Sequence, residues 1–455
     1  MEVYNKTYIY FICIVSAIGG LLFGYDWVVI GGAKPFYEIY FDIQNIPVMQ
    51  AWCMSVALLG CLLGAISTSV LADKFGRKKM LILSAFIFLI SSFFTGAATN
   101  IEYFIVARFI GGIAIGLAAN LSPMYIAEIA PYQIRGRLVS LNQLAIVLGI
   151  VCAQAVNFLI AEPIVEDTHI INSWNVQEGW RWMFWAVCIP SAIFFLLGFL
   201  LPESPRWLAF NGNYAYAKRM LYKIGNIDYV NAEFTKYEKA ESHKQHNVLK
   251  ELFTQKLLNI LLIGIVLAIF QQWSGTNIIF NYAQEIFHAA GYNLSDMLMN
   301  ILVTGISFFI FTFIAFFTIE KIGRRTLMLI GSVGLSITYF LISICYFKDY
   351  QGSVVVGLVV MAIAFYAMSL GPVTWVLLSE IFPMKFRSIG LSICTFFLWV
   401  SSFLLTYTFP FLNESLSTGG VFGVYSLICL LGFVFLLKKI PETKGKTLEE
   451  LEKLL

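Results

Sequence analysis

The chain has 455 residues, of which 59% are apolar, 16% aromatic and 13% charged, and its net charge is +3. Soluble proteins carry about 25% charged residues, so this composition excludes a water-soluble globular protein. Twelve stretches of at least 19 residues contain no Asp, Glu, Lys or Arg, and a membrane-spanning helix needs about 20 such residues. In chain order they are 7–25, 43–72, 80–101, 109–127, 138–161, 182–202, 257–284, 297–319, 326–347, 350–379, 388–413 and 415–437. We predict an all-α polytopic membrane protein with twelve transmembrane helices, because the strands of a β-barrel would alternate in polarity over about ten residues.

The basic residues are unevenly distributed over the predicted loops. If the N-terminus is cytoplasmic, 26 of the 30 Lys and Arg residues fall on the cytoplasmic side, and the exceptions are Lys34, Arg108, Arg181 and Lys348. Cytoplasmic loops carry an excess of basic residues, so both termini are predicted to be cytoplasmic. We expect a multi-pass protein of a cell inner (plasma) membrane, surrounded by lipid and monomeric.

The reactive side chains do not indicate catalysis. All eight cysteines lie inside predicted spans, where they behave as small apolar residues, and the four histidines are scattered over the loops. Their spacing matches neither a disulfide framework nor a zinc site, so we predict no metal and no cofactor. The sequence has no phosphate-binding loop, no nucleophile–base pair and no feature that indicates nucleic acid. We therefore expect neither an enzyme nor an ATP-driven pump.

The two halves of the chain repeat one another. Residues 73–78 after span 2 resemble 320–325 after span 8, and residues 128–131 after span 4 resemble 380–383 after span 10. Both halves begin on the same side of the membrane, so the repeat is parallel. This is the relation between the halves of major facilitator transporters, in which substrate binds between the halves near the midplane.

The repeat suggests a division of the chain into four parts. They are a first six-helix bundle (1–202), a cytoplasmic linker with short amphipathic helices (203–256), a second six-helix bundle (257–440) and a cytoplasmic tail (441–455). Glycine pairs at positions 60/64 and 112/116 predict close packing of helices in the first bundle rather than a binding site.

Two charged residues fall inside the predicted spans. Asp26 lies about six residues before the outer end of span 1, and Arg108 lies about six residues after the outer start of span 4. At about 1.5 Å per residue, both are predicted roughly 9 Å below the outer surface. A buried charge costs at least about 2.5–3.5 kcal/mol and needs a partner or a cavity. We interpret Asp26 as the proton-coupling carboxylate and Arg108 as its partner, and the alternative is a permanent ion pair that only holds span 1 against span 4.

Charges of both signs recur at the cytoplasmic ends of the spans. The repeated segments contribute Arg77, Glu128 and Arg135 in the first half and Arg324, Glu380 and Arg387 in the second. We predict that they form an intracellular gate, whose salt bridges between the halves break when the cytoplasmic side opens. The alternative is ordinary helix capping, because carboxylates favour helix N-termini and cations favour C-termini.

Amide and Trp side chains inside the spans form a third set. Residues 271–277, Gln-Gln-Trp-Ser-Gly-Thr-Asn, interrupt span 7, so we predict an irregular helix that lines a cavity. Gln143 in span 5, Trp375 in span 10 and Trp399 in span 11 add amide and flat apolar groups. These groups suit a neutral polyhydroxylated ligand, because amides donate and accept hydrogen bonds and Trp offers an apolar face. The alternative is that they link helices or belong to interfacial belts.

Several motifs, spread over nearly the whole chain, carry a family resemblance. They are residues 19–26, 123–128, 202–208, 271–277, 371–383 and 441–447. With these motifs the chain resembles the sugar porter family of the major facilitator superfamily, most of all bacterial D-xylose–proton symporters, and it is related to animal facilitative glucose transporters. The resemblance implies a twelve-helix carrier with alternating access and a central sugar site. The residues that it places at or near the sugar are Gln143, Gln271, Gln272, Asn277, Trp375, Phe23, Trp399 and Asn281.

The chain departs from the family's pattern in and near the predicted sugar pocket. Asn281 and Tyr282 stand where the family usually has two tyrosines, Phe308 where a polar Asn is common, and Leu398 where the xylose symporters have Gln. These changes leave the sugar open between pentoses and hexoses. The His that those symporters carry in span 2 is also missing, which leaves the proton relay to Asp26.

The expected function is a proton-coupled monosaccharide symporter, with sugar and proton as its small-molecule partners. The resemblance favours symport, because the proton symporters have an acid at position 26, where facilitative relatives commonly carry Asn. The alternative is a facilitative sugar uniporter in which Asp26 is structural. A sugar sensor is less well supported because only about 15 residues follow span 12. A porter for another polyol or an organic cation is also less well supported, and the predicted pocket lacks the acid that a cation would need.

Overall fold

The computed structural model describes residues 4–163, 167–241, 255–350, 352–383 and 386–444. Within these ranges the chain is helical and contains no strand, apart from one isolated antiparallel bridge between Tyr4 and Gly225. Before residue 203 the α-helices are α1 (Lys6–Tyr40), α2 (Pro47–Phe75), α3 (Arg77–Gly96), α4 (Ile101–Ile129), α5 (Arg135–Ile160), α6 (Trp180–Trp185) and α7 (Cys188–Gly198). A 3₁₀-helix (Asp167–Asn172) and a π-helix (Asn175–Gly179) precede α6.

The later helices include short ones in the predicted linker and long ones beyond it. They are α8 (Pro205–Phe210), α9 (Tyr214–Ile224), α10 (Ile227–Glu241), α11 (Gln255–Trp273), α12 (Thr276–Asn281), α13 (Ala283–Ala289), α14 (Leu294–Ile322), α15 (Arg324–Phe347), α16 (Ser353–Met368), α17 (Leu370–Ile381) and α18 (Arg387–Lys439). Helices α8 to α10 lie in the segment for which the sequence predicts short amphipathic helices. The rest of that prediction, residues 242–254, and the tail from residue 445 lie outside the described residues.

Eleven helical segments of the described chain are long and apolar enough to cross a membrane. The longest helix, α18, contains a break at Ser417, whose φ of 59° and ψ of 167° are not helical. The break lies three residues after Glu414, which separates the charge-free stretches 388–413 and 415–437. The structure therefore agrees with twelve predicted spans, of which the last two are joined into one broken helix.

Helix α1 is longer than its charge-free stretch. It continues through Asp26 as far as Tyr40, past the end predicted near residue 32, and thereby includes Lys34 and Glu38. The charge-free criterion ends a stretch at the first charge, whereas a helix continues when its charges find partners inside the protein. The extra turns place Lys34 and Glu38 on the same helix as Asp26.

The seventh span is broken where the sequence predicts it. Helix α11 ends at Trp273, Gly275 adopts a left-handed conformation with φ 87°, and α12 begins at Thr276. Glycine adopts positive φ without steric cost. The amides on either side of the break therefore belong to two separate helices, the 19-residue α11 and the 6-residue α12.

The chain groups into two compact units that combine segments from distant parts of the sequence. The first unit contains Met1–Asp26, Leu59–Gly149 and Phe184–His246, and the second contains Trp27–Leu58, Ile150–Met183 and Asn247–Leu455. The division at residues 202, 256 and 440 stays a prediction.

Close packing inside the first unit involves the glycine pairs. A Cβ atom on Gly60 would lie 2.9 Å from Cα of Gly112, and one on Gly64 would lie 3.1 Å from Cα of Gly116. Only glycine allows two helix backbones to approach this closely. The prediction that these steps serve helix packing is confirmed, and the packing holds α2 against α4, the helix that carries Arg108.

In the second unit, the last part of α1 and the first part of α2 pack against helices from the second half of the sequence. A Cβ atom on Gly31 would lie 2.5 Å from the carbonyl oxygen of Phe280 in α12. The ring of Trp52 lies 5.5 Å from that of Tyr407 and 6.2 Å from that of Phe403. Segments from both halves of the sequence thus share one apolar core on the side that the loop charges predict to be extracellular.

Candidate functional site

The first part of the candidate site is an ion pair in the first unit. Nη1 of Arg108 lies 2.7 Å from both carboxylate oxygens of Asp26. The two residues are 3% and 4% exposed, respectively. The structure therefore joins Asp26 and Arg108, as predicted. The depth of Asp26 was predicted from a helix end near residue 32, whereas α1 continues to Tyr40.

The Asp26–Arg108 pair lies beside an aromatic ring. The guanidinium of Arg108 lies 5.6 Å from the ring centroid of Phe184. Its Nε is buried without a hydrogen-bond partner among the described residues. Removing one partner of a buried ion pair leaves an uncompensated charge, which costs about 3–5 kcal/mol. Any event that neutralises Asp26, such as protonation, therefore changes the energy of this region substantially.

The second part is a chain of amides around the break in the second unit. Gln271 donates from Nε2 to the carbonyl oxygen of Gly371 at 3.3 Å, and Gln272 donates from Nε2 to Oε1 of Gln271 at 3.3 Å. Asn277, on the other side of the break, donates from Nδ2 to Oε1 of Gln272. These contacts unite three of the predicted sugar-binding residues into one connected, buried group.

Asn281 lies one turn beyond Asn277 on α12. It is 3% exposed, and its Oδ1 is buried without a hydrogen-bond partner among the described residues. A buried amide oxygen without a partner carries a desolvation cost of about 1–3 kcal/mol. The Asn281 amide therefore has capacity to accept a hydrogen bond from a hydroxyl group of a ligand.

The other predicted sugar residues belong to both units. Gln143 and Phe23, which are half-buried, lie in the first unit, whereas Trp375, 38% exposed, and the buried Trp399 lie in the second. Trp375 is on α17, the helix whose Gly371 carbonyl accepts from Gln271. Phe308, which replaces the family's polar residue, packs at 5.4 Å from Phe280 and 6.3 Å from Tyr366. The apolar side chain at 308 thus belongs to an aromatic cluster beside α12.

The third part is a charged turn between α2 and α3. Nε of Arg77 lies 3.1 Å from Oε2 of Glu128, and its Nη2 lies 3.0 Å from Oε1. Its Nη1 donates to the carbonyl oxygen of Ala72 at 3.1 Å and lies 2.9 Å from Oδ1 of Asp73. The backbone N–H groups of Arg77 and Lys78 donate to Oε1 of Glu203 at 2.9 and 3.1 Å. Glu203 therefore caps the N-terminus of α3, where the backbone donors have no partner inside the helix.

Glu203 lies outside the membrane-spanning segments. Burial raises the pKa of its carboxyl, and the hydrogen bonds from the backbone N–H groups of Ser204, Lys78 and Arg77 oppose that shift. The preceding turn needs Gly76, whose φ is 94°, and a Cβ atom there would lie 2.9 Å from Cδ of Glu203. The absence of a side chain at Gly76 thus allows the Glu203 carboxylate to lie against the turn and accept its hydrogen bonds.

The second unit repeats this turn between α14 and α15. Gly323 has φ 101°, close to the value at Gly76. The backbone N–H of Arg324 donates to Oε1 of Glu442 at 2.9 Å, and Nη2 of Arg324 lies 3.2 Å from Oε1 of Glu380. Oε2 of Glu380 also accepts from the hydroxyl of Thr443 at 2.6 Å. The sequence repeat therefore corresponds to a repeated three-residue arrangement of arginine, partner glutamate and capping glutamate.

Four of the six predicted gate residues form these pairs, and each pair lies inside one unit. Nε of Arg135 donates to the carbonyl oxygen of Ala130 at 3.3 Å. Nε of Arg387 is buried without a hydrogen-bond partner among the described residues. A gate function for these six residues stays a prediction.

One charged cluster was not assigned a role from the sequence. Lys34 and Glu38 on α1 form an ion pair at 2.9 Å, and Nζ of Lys34 also pairs with Oε1 of Glu285 on α13. The signal was the placement of two opposite charges four residues apart just after span 1, with a third charge just after span 7. Only the continuation of α1 to residue 40 shows that these charges are inside the protein.

Comparison with known proteins identifies the family. The sequence profile of the sugar (and other) transporter family matches residues 12–455. The D-xylose-proton symporter of Escherichia coli K12 is 35% identical, over 99% of this chain and 96% of that protein. The arabinose-proton symporter of Bacillus subtilis 168 is 36% identical, over 99% of this chain and 96% of that protein. The inward open structure of the E. coli xylose transporter XylE has a TM-score of 0.84 and 33% identity, over 98% of this chain and 99% of that one.

These matches agree with the resemblance inferred from the motifs. They extend over both sequence halves and include the fold as well as the sequence. The protein is membrane-spanning and multi-pass, with the all-α major facilitator fold. The chain belongs to the sugar (and other) transporter family.

Proposed function

We propose that this protein is a proton-coupled monosaccharide symporter that works by alternating access. The observation that carries the proposal is the buried Asp26–Arg108 pair, with 2.7 Å between Nη1 and each carboxylate oxygen. The xylose and arabinose relatives are named as proton symporters, which supports the same coupling here. Its substrates are then a pentose or hexose and a proton.

The ion pair supplies a physical basis for coupling. A nearby cation favours the charged carboxylate, whereas exclusion of water favours the neutral acid. Protonation of Asp26 weakens its attraction to Arg108, so α1 and α4 are no longer held by the same interaction. A proton taken up at Asp26 therefore changes the relative energies of the conformations between which the transporter alternates.

The amide group is the proposed site of sugar recognition. Gln271, Gln272, Asn277 and Asn281 offer donors and acceptors to sugar hydroxyls, and Gln143 offers another amide. Trp375, Phe23 and Trp399 offer apolar surfaces to the C–H faces of the ring. The uncharged character of this set supports a neutral sugar rather than an organic ion.

The charged turns are proposed to act at the cytoplasmic side. Arg77, Glu128, Arg324 and Glu380 would stabilise one conformation of the intracellular gate through their ion pairs, and Arg135 and Arg387 would add cations beside them. We further propose that the protein is monomeric, lies in a cell inner (plasma) membrane with surrounding lipid, and has both termini in the cytoplasm. It acts as a carrier and not as an enzyme.

Uptake by proteoliposomes tests the proposal. We would impose an inward proton gradient of one pH unit and measure accumulation of a panel of pentoses and hexoses, including xylose, arabinose and glucose. At one proton per sugar, that gradient supports about tenfold accumulation. Asp26→Asn imitates the protonated state, so we expect it to lose accumulation but to keep the exchange of internal for external sugar.

Glu102→Gln is the matched control. Glu102 is an exposed acid at the beginning of α4, the helix that carries Arg108. It should behave as wild type.

The alternative is a facilitative uniporter in which the Asp26–Arg108 pair only holds α1 against α4. In that case, wild type would equilibrate sugar to the same level with and without the gradient. Asp26→Asn would then reduce the amount of folded protein without changing the gradient dependence. Gradient-independent uptake by wild type would refute symport and leave sugar transport by facilitation.

A further inference from the structure

The cluster of Lys34, Glu38 and Glu285 places one cation between two carboxylates. Lys34 is 2% exposed and Glu38 is 4% exposed, whereas the Glu285 side chain retains 23% of its exposure. Glu38 has a further contact, because its Oε2 accepts from Nε2 of Gln50 at 3.4 Å. Oε2 of Glu285 is buried and has no hydrogen-bond partner among the described residues. The two carboxylates thus differ. Glu38 has a hydrogen-bond donor, Gln50, in addition to Lys34, whereas the contact of Glu285 in this cluster is with Lys34.

The cluster joins two segments that approach closely for other reasons. Glu285 belongs to α13, which directly follows the broken seventh span and its amide group. The ring of Tyr282, between α12 and α13, lies 5.5 Å from Nζ of Lys34, and its hydroxyl donates to the carbonyl oxygen of Thr406 at 2.7 Å. The glycine contact between Gly31 and Phe280 lies about one helical turn away. Lys34 therefore holds the segment that carries Asn277 and Asn281 against the second part of α1.

The arrangement has an energetic consequence for opening. If α13 moved away from α1, a lysine bound only to Glu285 would become a buried charge without a partner, and opening would be strongly opposed. Glu38 is four residues from Lys34 on the same helix, so it moves with the lysine and keeps it paired. The second carboxylate therefore lowers the cost of breaking the first ion pair.

We propose that Lys34 is a positioning residue that closes the extracellular side by pairing with Glu285, and that Glu38 retains the lysine when this side opens. This inference rests on the proposed alternating access, but it concerns residues outside the sugar and proton sites. The two carboxylates compete for one lysine, so they have opposite effects on the closed state. Glu285 favours closure and Glu38 favours opening.

The test uses two variants that each leave one neutral pair. Glu285→Gln keeps Lys34 with Glu38, and Glu38→Gln keeps Lys34 with Glu285, so neither creates an isolated buried charge. We would measure hydrogen–deuterium exchange of the full-length protein in lipid nanodiscs, without sugar or a gradient, for peptides covering 27–40 and 276–289. Asp296→Asn, an exposed acid in the first turn of α14, is the control for loss of one negative charge.

We expect opposite shifts from the two variants. Glu285→Gln should increase the open population about tenfold, which corresponds to about 1.4 kcal/mol, and so speed exchange in both peptides. Glu38→Gln should slow it, and Asp296→Asn should match wild type. Shifts of the same sign in both variants, or shifts no larger than that of Asp296→Asn, would overturn the proposal.

Transport kinetics give a second readout. The apparent affinity for external sugar scales with the fraction of molecules open to the outside, so the half-saturating external sugar concentration should fall in Glu285→Gln and rise in Glu38→Gln. If neither wild type nor variants transported any sugar, the proposed function would fail, yet the exchange experiment would still decide whether Lys34 closes this side. A purely structural cluster would lower stability in both variants without opposite effects on exchange or sugar affinity.

Discussion

The repeated charged turns should contribute unequally to stability, although their sequences correspond. Arg77 and Glu128 have side chains that are 10% and 7% exposed and share three contacts of 3.0–3.3 Å. Arg324 and Glu380 are 18% and 25% exposed and share one contact of 3.2 Å. Double-mutant cycles give about 0.5–3 kcal/mol for groups in contact. We expect a coupling free energy of about 2–3 kcal/mol for the first pair and about 0.5–1 kcal/mol for the second, as for exposed pairs.

The measurement is a double-mutant cycle on each pair, in which the arginine and the glutamate of that pair are replaced by glutamine singly and together. The free energy of unfolding would be obtained from reversible denaturation in mixed micelles, and the coupling energy is the part that the single substitutions do not explain. Glu128→Gln alone should cost about 3 kcal/mol, because it removes the buried counter-charge of Arg77 and leaves only the exposed carboxylate of Asp73, at 2.9 Å. Equal coupling energies in the two turns, or a larger one for Arg324 and Glu380, would refute the link between burial and the strength of these pairs.

Two further predictions concern glycines with positive φ, and both use Gly212→Ala as the control, because Gly212 has φ 77° and no atom within 4 Å of a Cβ. Gly76→Ala should lower the free energy of unfolding by at least about 1–2 kcal/mol more than the control does, since its Cβ would lie 2.9 Å from Cδ of Glu203. A loss equal to the control's would show that the Glu203 side chain can move away from the new Cβ without cost. Gly275→Ala should weaken sugar binding by about tenfold, because its Cβ would lie 2.8 Å from Cγ of Tyr425 and would displace the break between the amides. Titration of purified protein with the transported sugar would show this, and unchanged affinity together with a stability loss like that of Gly212→Ala would contradict it.

The sequence predicted those parts of the site that consist of residue types rarely found inside membrane spans. Asp26 and Arg108 were found because a charge inside an apolar span has few explanations, and the structure joins them at 2.7 Å. The break at residues 271–277 could be predicted because non-helical backbone inside a membrane is tolerated only where it is buried in protein or lines a cavity. The amide-to-amide hydrogen bonds across that break could not be predicted, because they depend on the direction in which α12 leaves Gly275.

The parts that the sequence did not predict depend on contacts between distant segments. Glu203 is 126 residues from Arg77 in the chain, yet it accepts hydrogen bonds from the first N–H groups of α3. Residues 202–208 and 441–447 carry the family resemblance, but a motif does not show which helix end its glutamate reaches. Lys34 was only one of four basic residues outside the predicted cytoplasmic side. The sequence alone does not distinguish a charge in water from a charge paired inside the protein, because both end a charge-free stretch.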